Sequence, residues 1–388
     1  MHPSRHMQRY RRLSRLWHCS AECALAQASY SLQVRYHSMT SRPSEPTLDD
    51  AECDRPTLDV RAVARQVARH RVISGGRALL ELTVTFAPFV ASWALMWLAL
   101  QWSYWLALPL AVPAGGFLLR LFLIQHDCGH GSFFRSRTAN DWTGRLIGVL
   151  TLSPYDFWRR THAMHHAGTG NLDKRGIGDV DTLTVAEFAA LPRLARWRYW
   201  LYRHPVVLFG VGPAYLFFLR YRLPLGLARE GWRPWASTMG TNVAIAAVSL
   251  GMIALVGLKA FLLIQLPITL LAASAGVWLF YVQHQFETTS WARGKAWSFH
   301  EAALYGSSHL AMPAVLRWFT ANIGMHHVHH LCSTIPFYRL PGVLRALPEL
   351  AQLNRLTLRD SLATVRLTLW DEQARRLVSF REARRRAA

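Results

Sequence analysis

Four apolar stretches, arranged as two pairs, constrain the fold of this chain more than any other feature. They cover residues 78–100, 103–124, 239–257 and 260–282. Each is close to the roughly 20 residues that an α-helix needs to cross the hydrocarbon core of a bilayer. Only residues 101–102 and 258–259 separate the members of each pair, so each pair predicts a helical hairpin. We therefore predict an all-α integral membrane fold with two transmembrane hairpins and a helical cap on one side.

Two further features near these stretches lead to separate predictions, one for a short helix and one for an arginine side chain. The apolar stretch Val206–Leu219 is shorter and has arginines on both sides. We interpret it as an interfacial or half-buried helix, and a spanning role is the less favoured alternative. Arg120 lies close to the exit of the second long stretch, and we expect its side chain to extend to the interface.

The distribution of charge predicts which side of the membrane each segment occupies. The chain has 44 Lys and Arg against 23 Asp and Glu, yet the two hairpin turns carry only Lys259. Cytosolic loops of membrane proteins carry the excess of Lys and Arg. Both termini and the segment between the hairpins are therefore expected on the cytosolic side. Nucleic-acid binding is not favoured, because no recognisable binding module accompanies the charge.

The ends of the chain are treated separately from the folded domain. Residues 1–60 have no sustained apolar run and are rich in arginine up to Arg42. We interpret them as a disordered or leader-like tail, with Met39 as an alternative start, and a transit peptide is the competing interpretation. The folded domain is placed at 61–370 and a basic C-terminal tail at 371–388. The five cysteines are too few and too scattered for a disulfide framework.

Histidines gather in three clusters on the predicted cytosolic side, each near the end of a span or in the cap. Helical spacings of three and four residues place side chains on one face. The clusters are His126 and His130; His162, His165 and His166; and His326, His329 and His330. Eight imidazoles exceed the four ligands of one closed site, so two metal ions are predicted. His327 is expected to point elsewhere.

The type of ligand leaves the metal open, and the setting narrows it. Imidazole binds zinc, copper, iron and nickel. A structural zinc site usually includes cysteine thiolates, and neither Cys128 nor Cys332 is paired with another cysteine. Clusters at the edge of the bilayer indicate an oxidative attack on a lipid-soluble substrate, which favours iron.

The series H-x-x-x-H, H-x-x-H-H, H-x-x-H-H, with paired spans between the second and third members, resembles that of the membrane-bound fatty acid desaturases. The resemblance covers about Ala78 to Trp370. The residues that flank the histidines are most like those of acyl-lipid omega-6 (delta-12) desaturases. They are His126–Phe134, Pro154–His162 and His329–Pro336.

The resemblance implies an enzyme that desaturates a fatty acyl lipid with O2 at a di-iron centre, converting a monoenoic chain to a dienoic one. The eight clustered histidines carry over as iron ligands. Related enzymes use one further histidine near the cytosolic end of the last span, where this chain has His284; the alternative is an interfacial histidine. Some relatives have an asparagine one turn earlier, where Phe280 stands here.

The electrons for such a reaction must come from a separate donor. The sequence contains no G-x-G-x-x-G motif after a strand, no cysteine-rich iron–sulfur run and no fused haem-binding signature. A basic cytosolic face would attract an acidic, ferredoxin-like protein, and anionic lipid headgroups explain the same charge. The residues considered for this face are Arg159, Arg160, Arg193, Arg196, Arg198 and Arg203.

Several polar residues near the clusters are candidates to orient the imidazoles, with a solvated loop or cap as the alternative. They are Asp127, Asp179, Asp181 and Asn322. The acyl chain is expected in a narrow apolar tunnel lined by Trp and Phe. A related histidine-box hydroxylase, monooxygenase or carotenoid ketolase remains an alternative with the same metals. A metal-binding transporter is a further one, although it should place ionisable ligands inside its spans.

Overall fold

The computed structural model describes residues 58–176 and 178–387 of the chain. Residues 1–57 of the tail predicted at 1–60, with the alternative start at Met39, lie outside the described residues, whereas Asp59 caps a helix that begins at Val60. By internal packing, the described residues form a main unit, residues 58–190 with 202–387, and a short separate segment, Leu191–Leu201.

Four helical runs among the described residues are long and apolar enough to cross a membrane, which confirms the fold-class prediction. Helix α1 (Val60–Ala68) precedes them. The first run is α2 (Gly75–Leu100), and the second, Tyr104–His130, consists of α3 (Tyr104–Ala107), a 3-10 turn (Leu108–Leu110) and α4 (Ala111–His130).

Each predicted span is longer in the structure than its apolar stretch, and the extra turns carry polar residues. The helix α4 continues through both histidines of the first cluster and ends because Gly131 adopts a left-handed conformation, with φ of 69°. Fourteen further α-helices follow in the described residues: α5 (Arg137–Leu150), α6 (Tyr155–Gly168), α7 (Val185–Ala190), α8 (Arg193–Tyr202), α9 (Gly212–Phe218), α10 (Trp232–Val256), α11 (Leu258–His284), α12 (Phe299–Tyr305), α13 (Ala314–Phe319), α14 (His326–Leu331), α15 (Leu340–Ala346), α16 (Pro348–Gln352), α17 (Leu358–Ala363) and α18 (Phe380–Ala387). The last two spanning runs are α10 and α11.

The stretch Val206–Leu219 is not one of the four spanning runs. It forms a π-helical segment (Val207–Val211) that leads into α9. Leu208 is buried, whereas Val206 and Val211 are exposed. This half-buried character agrees with the interfacial interpretation.

Five short strands link distant parts of the chain. The strand β1 (Leu183–Thr184) pairs in parallel with β4 (Leu369–Asp371), which pairs antiparallel with β5 (Arg376–Val378). A second pair is parallel and joins β2 (His309–Leu310) to β3 (Arg355–Leu356). Short 3-10 turns cover Arg220–Arg222, Gly294–Ala296, Phe337–Arg339 and Thr364–Arg366.

Residues 371–387 are folded rather than a tail, which differs from the sequence-based expectation. Leu377 and Val378 of β5 are fully buried, and Arg386 of α18 forms an ion pair with Asp371 at 2.6 Å. The abundance of arginine in this segment obscured Leu377 and Val378, the two apolar residues that pack it into the main unit.

The side chain of Arg120 does not extend to the interface, and this expectation is wrong. Arg120 is buried and donates hydrogen bonds to Glu81 of α2, to the Trp318 carbonyl and, at 3.1 Å, to the Thr85 hydroxyl. Its guanidinium also lies 4.1 Å from the centre of the Trp318 ring. Arg120 turns inward because Glu81 supplies a carboxylate within reach inside the protein.

Candidate metal centre

Four helices bring the clustered histidines together. His126 and His130 lie in the last two turns of α4, and His284 is the final residue of α11. The second cluster occupies the C-terminal half of α6, and the third lies on the short helix α14. All nine histidines of the sequence-based ligand set therefore converge from segments far apart in the chain.

The nine histidines form two groups, and within each group one ligand atom per residue lies within 4.8 Å of every other. The five-histidine group contains His126, His130, His162, His166 and His329. The four-histidine group contains His165, His284, His326 and His330, all of them buried. Neither group includes a cysteine or a carboxylate.

The helical period explains how one cluster serves both groups. Successive residues of an α-helix are separated by about 100°, so residues i and i+4 lie about 40° apart, while i+3 and i+4 diverge by about 100°. In α6 the i, i+4 pair His162 and His166 joins the five-histidine group, and His165 joins the other. In α14 the assignment is reversed. The expectation that all three imidazoles of a cluster share one face was therefore too simple.

Three imidazoles are oriented by an acceptor at Nδ1. His165 Nδ1 is hydrogen-bonded to Asp179, and His284 Nδ1 lies 3.2 Å from the Gly306 carbonyl. His126 Nδ1 lies 3.4 Å from Asp127 Oδ1. An acceptor at Nδ1 places the proton there, which leaves the Nε2 lone pair directed into the group, as a metal ligand requires.

Inside the groups, imidazole nitrogens face one another. His130, His162 and His166 make successive Nε2–Nε2 approaches of 3.1 Å, and His284 and His326 approach to 3.0 Å. His165 Nε2 and both ring nitrogens of His330 are buried without a hydrogen-bond partner. The lone pairs of these imidazole nitrogens converge with no hydrogen-bonding group between them, which is the arrangement that a bound metal cation requires.

The protonation states of the clustered histidines in the cap suit metal binding. Burial, followed by the charge of neighbouring imidazoles, lowers the pKa values of these side chains well below the ordinary value. This applies to His162, His166, His326, His329 and His330. They are neutral near pH 7, which is the form that binds metal.

Of the four candidate orienting residues, Asp179 and Asp127 contact a clustered histidine. Asp127 also accepts a hydrogen bond from the Phe337 backbone N–H at 2.7 Å, which ties α4 to the loop after α14. Asn322 instead donates to the Phe337 carbonyl at 3.1 Å. The Asp181 backbone N–H donates to the Tyr202 hydroxyl at 3.1 Å.

His327 points away from both groups, as expected. Its Nε2 lies 2.9 Å from the Leu350 carbonyl, and its ring centre lies 5.6 Å from that of His309. Burial lowers the pKa of His327 to about 3.

Phe280 borders the four-histidine group in place of a polar residue. Its ring centre lies 5.1 Å from that of His165 and 5.5 Å from that of His284. A cavity of about 20 Å³ adjoins it, with Asp179 and Trp291 also in its lining. Such a volume is enough for one water molecule.

Some of the arginines expected on a basic face are used inside the protein. Arg203 is 2% exposed and donates to the Asp181 carbonyl at 3.0 Å, to Gln285 Oε1 at 3.1 Å and to the Leu367 carbonyl at 2.8 Å. Arg159 pairs with Asp141 at 2.7 Å, and Arg160 pairs with Glu230. The role of Arg203 as a bridge to the last span was missed, because its partners lie in three distant segments.

Comparison with known proteins agrees with this geometry. A family model described as "Fatty acid desaturase" matches residues 102–361. A fatty acid desaturase of Bacillus subtilis is 43% identical over 321 residues, which cover 83% of this chain and 91% of the relative. An sn-1 acyl-lipid omega-3 desaturase (ferredoxin) of Synechocystis sp. is 30% identical over 58% of this chain and 63% of its own length. An sn-1 oleoyl-lipid 12-desaturase of Synechocystis sp. is 24% identical over 78% of this chain and 85% of its own length.

Proposed function

This chain belongs to the fatty acid desaturase family, and from that premise we propose that it inserts a cis double bond into the acyl chain of a membrane lipid at a di-iron centre. Fatty acid desaturase activity follows from the family match and from the relative of 43% identity over most of the chain. The single observation that carries the metal assignment is the convergence of nine histidines into two adjacent groups.

Each histidine group would hold one iron ion. Bound irons would provide the redox chemistry that reduces O2 to two water molecules. This reduction consumes two electrons from a donor, two protons, and two hydrogens from neighbouring carbons of the acyl chain. Burial holds His162, His166, His326, His329 and His330 neutral. Acceptors at Nδ1 fix the direction of His126, His165 and His284. Asp179 orients His165, and the Gly306 carbonyl orients His284. The acyl chain reaches this centre through an apolar tunnel from the bilayer, where near-attack geometry depends on the walls.

The proposed position of the new double bond is omega-6 (delta-12), giving a dienoic from a monoenoic chain. The residues flanking the histidine clusters support it, and so does the similarity to the 12-desaturase of Synechocystis sp.. The omega-3 position is the second candidate, because the omega-3 relative of Synechocystis sp. has the higher identity, 30%. Profiling the fatty acids of a host that expresses the chain distinguishes the two, and a hydroxylated product would instead indicate the hydroxylase alternative.

We propose a ferredoxin-like electron donor on the cytosolic side. The formal net charge of +21 supports attraction of an acidic protein. The names of two relatives include their donors, ferredoxin for one of Synechocystis sp. and cytochrome b5 for one of Arabidopsis thaliana. Reconstitution with each donor under the same conditions compares them, and faster turnover with cytochrome b5 would overturn this choice.

Substitution of one histidine in the four-histidine group tests the di-iron assignment. We expect His165→Ala and His330→Ala to abolish the dienoic product in an expressing host and to lower the iron content of the purified protein. Both residues are buried with nitrogens that lack partners. His300→Ala is the matched control, because His300 lies on α12 outside both groups. Retention of product and iron in both variants would remove the di-iron assignment.

A further inference from the structure

We propose that an open cavity beside the third histidine cluster binds a phosphate group presented at the bilayer surface. The cavity has a volume of about 430 Å³. Its charged lining consists of Arg317, Arg345 and Arg355, and His309 also lines it. None of the nine clustered histidines lines it, so it is distinct from the candidate metal centre.

Three separate elements direct their arginines into this one space. The parallel pairing of β2 with β3 places Arg355 directly opposite His309 in register. Arg317 lies on α13 and Arg345 on α15. Arginine guanidinium groups present paired N–H donors that match the oxygens of a phosphate. Three of them around one cavity therefore form a site of suitable charge and donor type.

No carboxylate from the described part of the chain lines this cavity. Within the described residues, none of the three arginines forms an ion pair, and the cavity lining includes no Asp or Glu. Asp360, five residues after Arg355, accepts hydrogen bonds from the Thr357 backbone N–H at 2.8 Å and from its hydroxyl at 2.7 Å. Asp360 is therefore used as a helix cap. Its hydrogen bonds to Thr357 and, to a smaller extent, the charge of Arg355 lower its pKa, but its carboxylate is not part of the cavity lining.

Arg355 and Arg317 lie close enough to His309 to change its pKa. Burial lowers the pKa of His309, and the positive charges of Arg355 and Arg317 lower it further, against a hydrogen bond to the Ala351 carbonyl that raises it. His309 Nδ1 lies 2.7 Å from that carbonyl. Because its pKa lies below the ordinary value, His309 is neutral near pH 7, and the arginines supply the positive charge of the cavity.

The surroundings of Arg317 favour a phosphate carried by a lipid. Its neighbours on α13 are apolar and exposed: Val315 is 66% exposed and Leu316 is 42% exposed. Trp318 packs edge-on against Phe117 of the spanning helix α4, with ring centres 6.0 Å apart. A short helix with exposed apolar residues beside a span is expected in the membrane interface. Basic pockets beside spanning helices bind anionic headgroups.

The concave shape favours a small group over a protein surface. A cavity of this volume falls within the range of small-molecule sites, about 300–1,000 Å³. An acidic protein partner would instead need a broad exposed face, since specific interfaces bury about 800 Å² on each side.

Lipid retention by the purified full-length protein tests the proposal without any turnover, so loss of desaturase activity does not affect the result. The probes are dioleoyl phosphatidylglycerol, dioleoylglycerol with the same chains but no phosphate, and inorganic phosphate as a competitor. Bound lipid is counted by native mass spectrometry after detergent exchange. The test variant is R317Q/R345Q/R355Q. The control, R381Q/R384Q/R385Q, removes three charges from exposed positions of α18.

We expect the pocket variant to retain at least tenfold less phosphatidylglycerol than the native protein, and the control to change retention less than twofold. Dioleoylglycerol should bind both equally and weakly. Displacement of the lipid by millimolar inorganic phosphate assigns the site to phosphate from either source, and failure to displace assigns it to lipid phosphate. Should the triple variant not fold, the single charge reversal Arg345→Glu should still lower retention about threefold. Equal retention by native protein and folded pocket variants, or an equal loss in the control, overturns the proposal.

Discussion

At the scale of single residues, the function of the candidate metal centre depends on which nitrogen of each imidazole faces inward. Asp179 lies fourteen residues after His165 and still accepts a hydrogen bond from its Nδ1. Acceptors of this kind fix the tautomer and raise the basicity of the ligand. The side chain of His165 is fully buried, which keeps bulk water from its Nδ1. Asp179 is the acceptor described at that nitrogen.

Substitution Asp179→Asn tests this orienting role. The amide keeps the shape of the side chain but removes the charge, and we expect metal affinity to fall about 10- to 100-fold. Iron content after dialysis against a chelator series measures the change, and desaturated product in an expressing host should fall with it.

Asp59→Asn is the matched control for the same chemical change. Asp59 caps α1 by accepting from the backbone N–H groups of Arg61 and Ala62, each at 3.0 Å, and asparagine caps a helix as well as aspartate. Equal iron loss in the two variants would refute a specific role for Asp179.

At the scale of elements, the histidines meet only if α4, α5 and α6 pack at the observed distances. Gly144 on α5 leaves room for the Tyr155 ring, which a Cβ atom at that position would overlap. The Tyr155 hydroxyl donates to the Cys128 carbonyl at 2.9 Å and so connects α6 with α4. The start of the helix that carries the second cluster is therefore fixed by a close approach of α5.

The variant Gly144→Ala should separate α5 from α6. Insertion of a methyl group into this contact is expected to cost about 1–3 kcal/mol, because the ring and the helix must shift. A lower midpoint of thermal unfolding and a lower iron content would report it. Gly240→Ala on α10 is the control, since a Cβ there has nothing within 4 Å; equal effects of the two changes would contradict the packing argument.

The Glu81–Arg120 pair joins two spanning helices to the segment that contains Trp318. We expect Glu81→Leu alone to destabilise the protein by about 3–5 kcal/mol, because Arg120 then keeps its charge without the carboxylate. The double variant E81L/R120L should lose less, since it leaves no unpaired charge. Thermal unfolding in detergent measures both, and a double variant that is less stable than the single one would show that the pair is not coupled in this way.

At the scale of the whole molecule, two hairpins that cross the membrane would place the hairpin turns on the side opposite the cap. We propose that the cap is cytosolic, since Lys259 is the sole Lys or Arg of the two turns. The histidine groups at the cap ends of α4 and α11 would then face the compartment that supplies reduced electron donors.

Labelling of single cysteines in intact cells tests this sidedness. In a C19S/C23S/C53S background, we expect K259C to react with a membrane-impermeant maleimide and R366C to react only after permeabilisation. Cys128 and Cys332 stay in place because both are buried. The opposite pattern of labelling would reverse the topology.

Signals that lie within a short window were sufficient to predict the four spans and the three histidine clusters, and the family resemblance added His284 as a candidate ninth ligand. Apolar runs and helical spacing are properties of neighbouring residues, so they can be interpreted without knowing where the chain goes next. The family resemblance adds the enzyme class for the same reason, because its motifs are local.

Only the tertiary structure decided which distant residues share a site. It divided the nine histidines into groups of five and four, directed Arg120 to Glu81 rather than to the interface, and folded residues 371–387 onto the main unit. It also brought Arg317, Arg345 and Arg355 around one cavity. Each of these results depends on the relative position of separate helices and strands, which packing of the whole chain sets and no local pattern encodes.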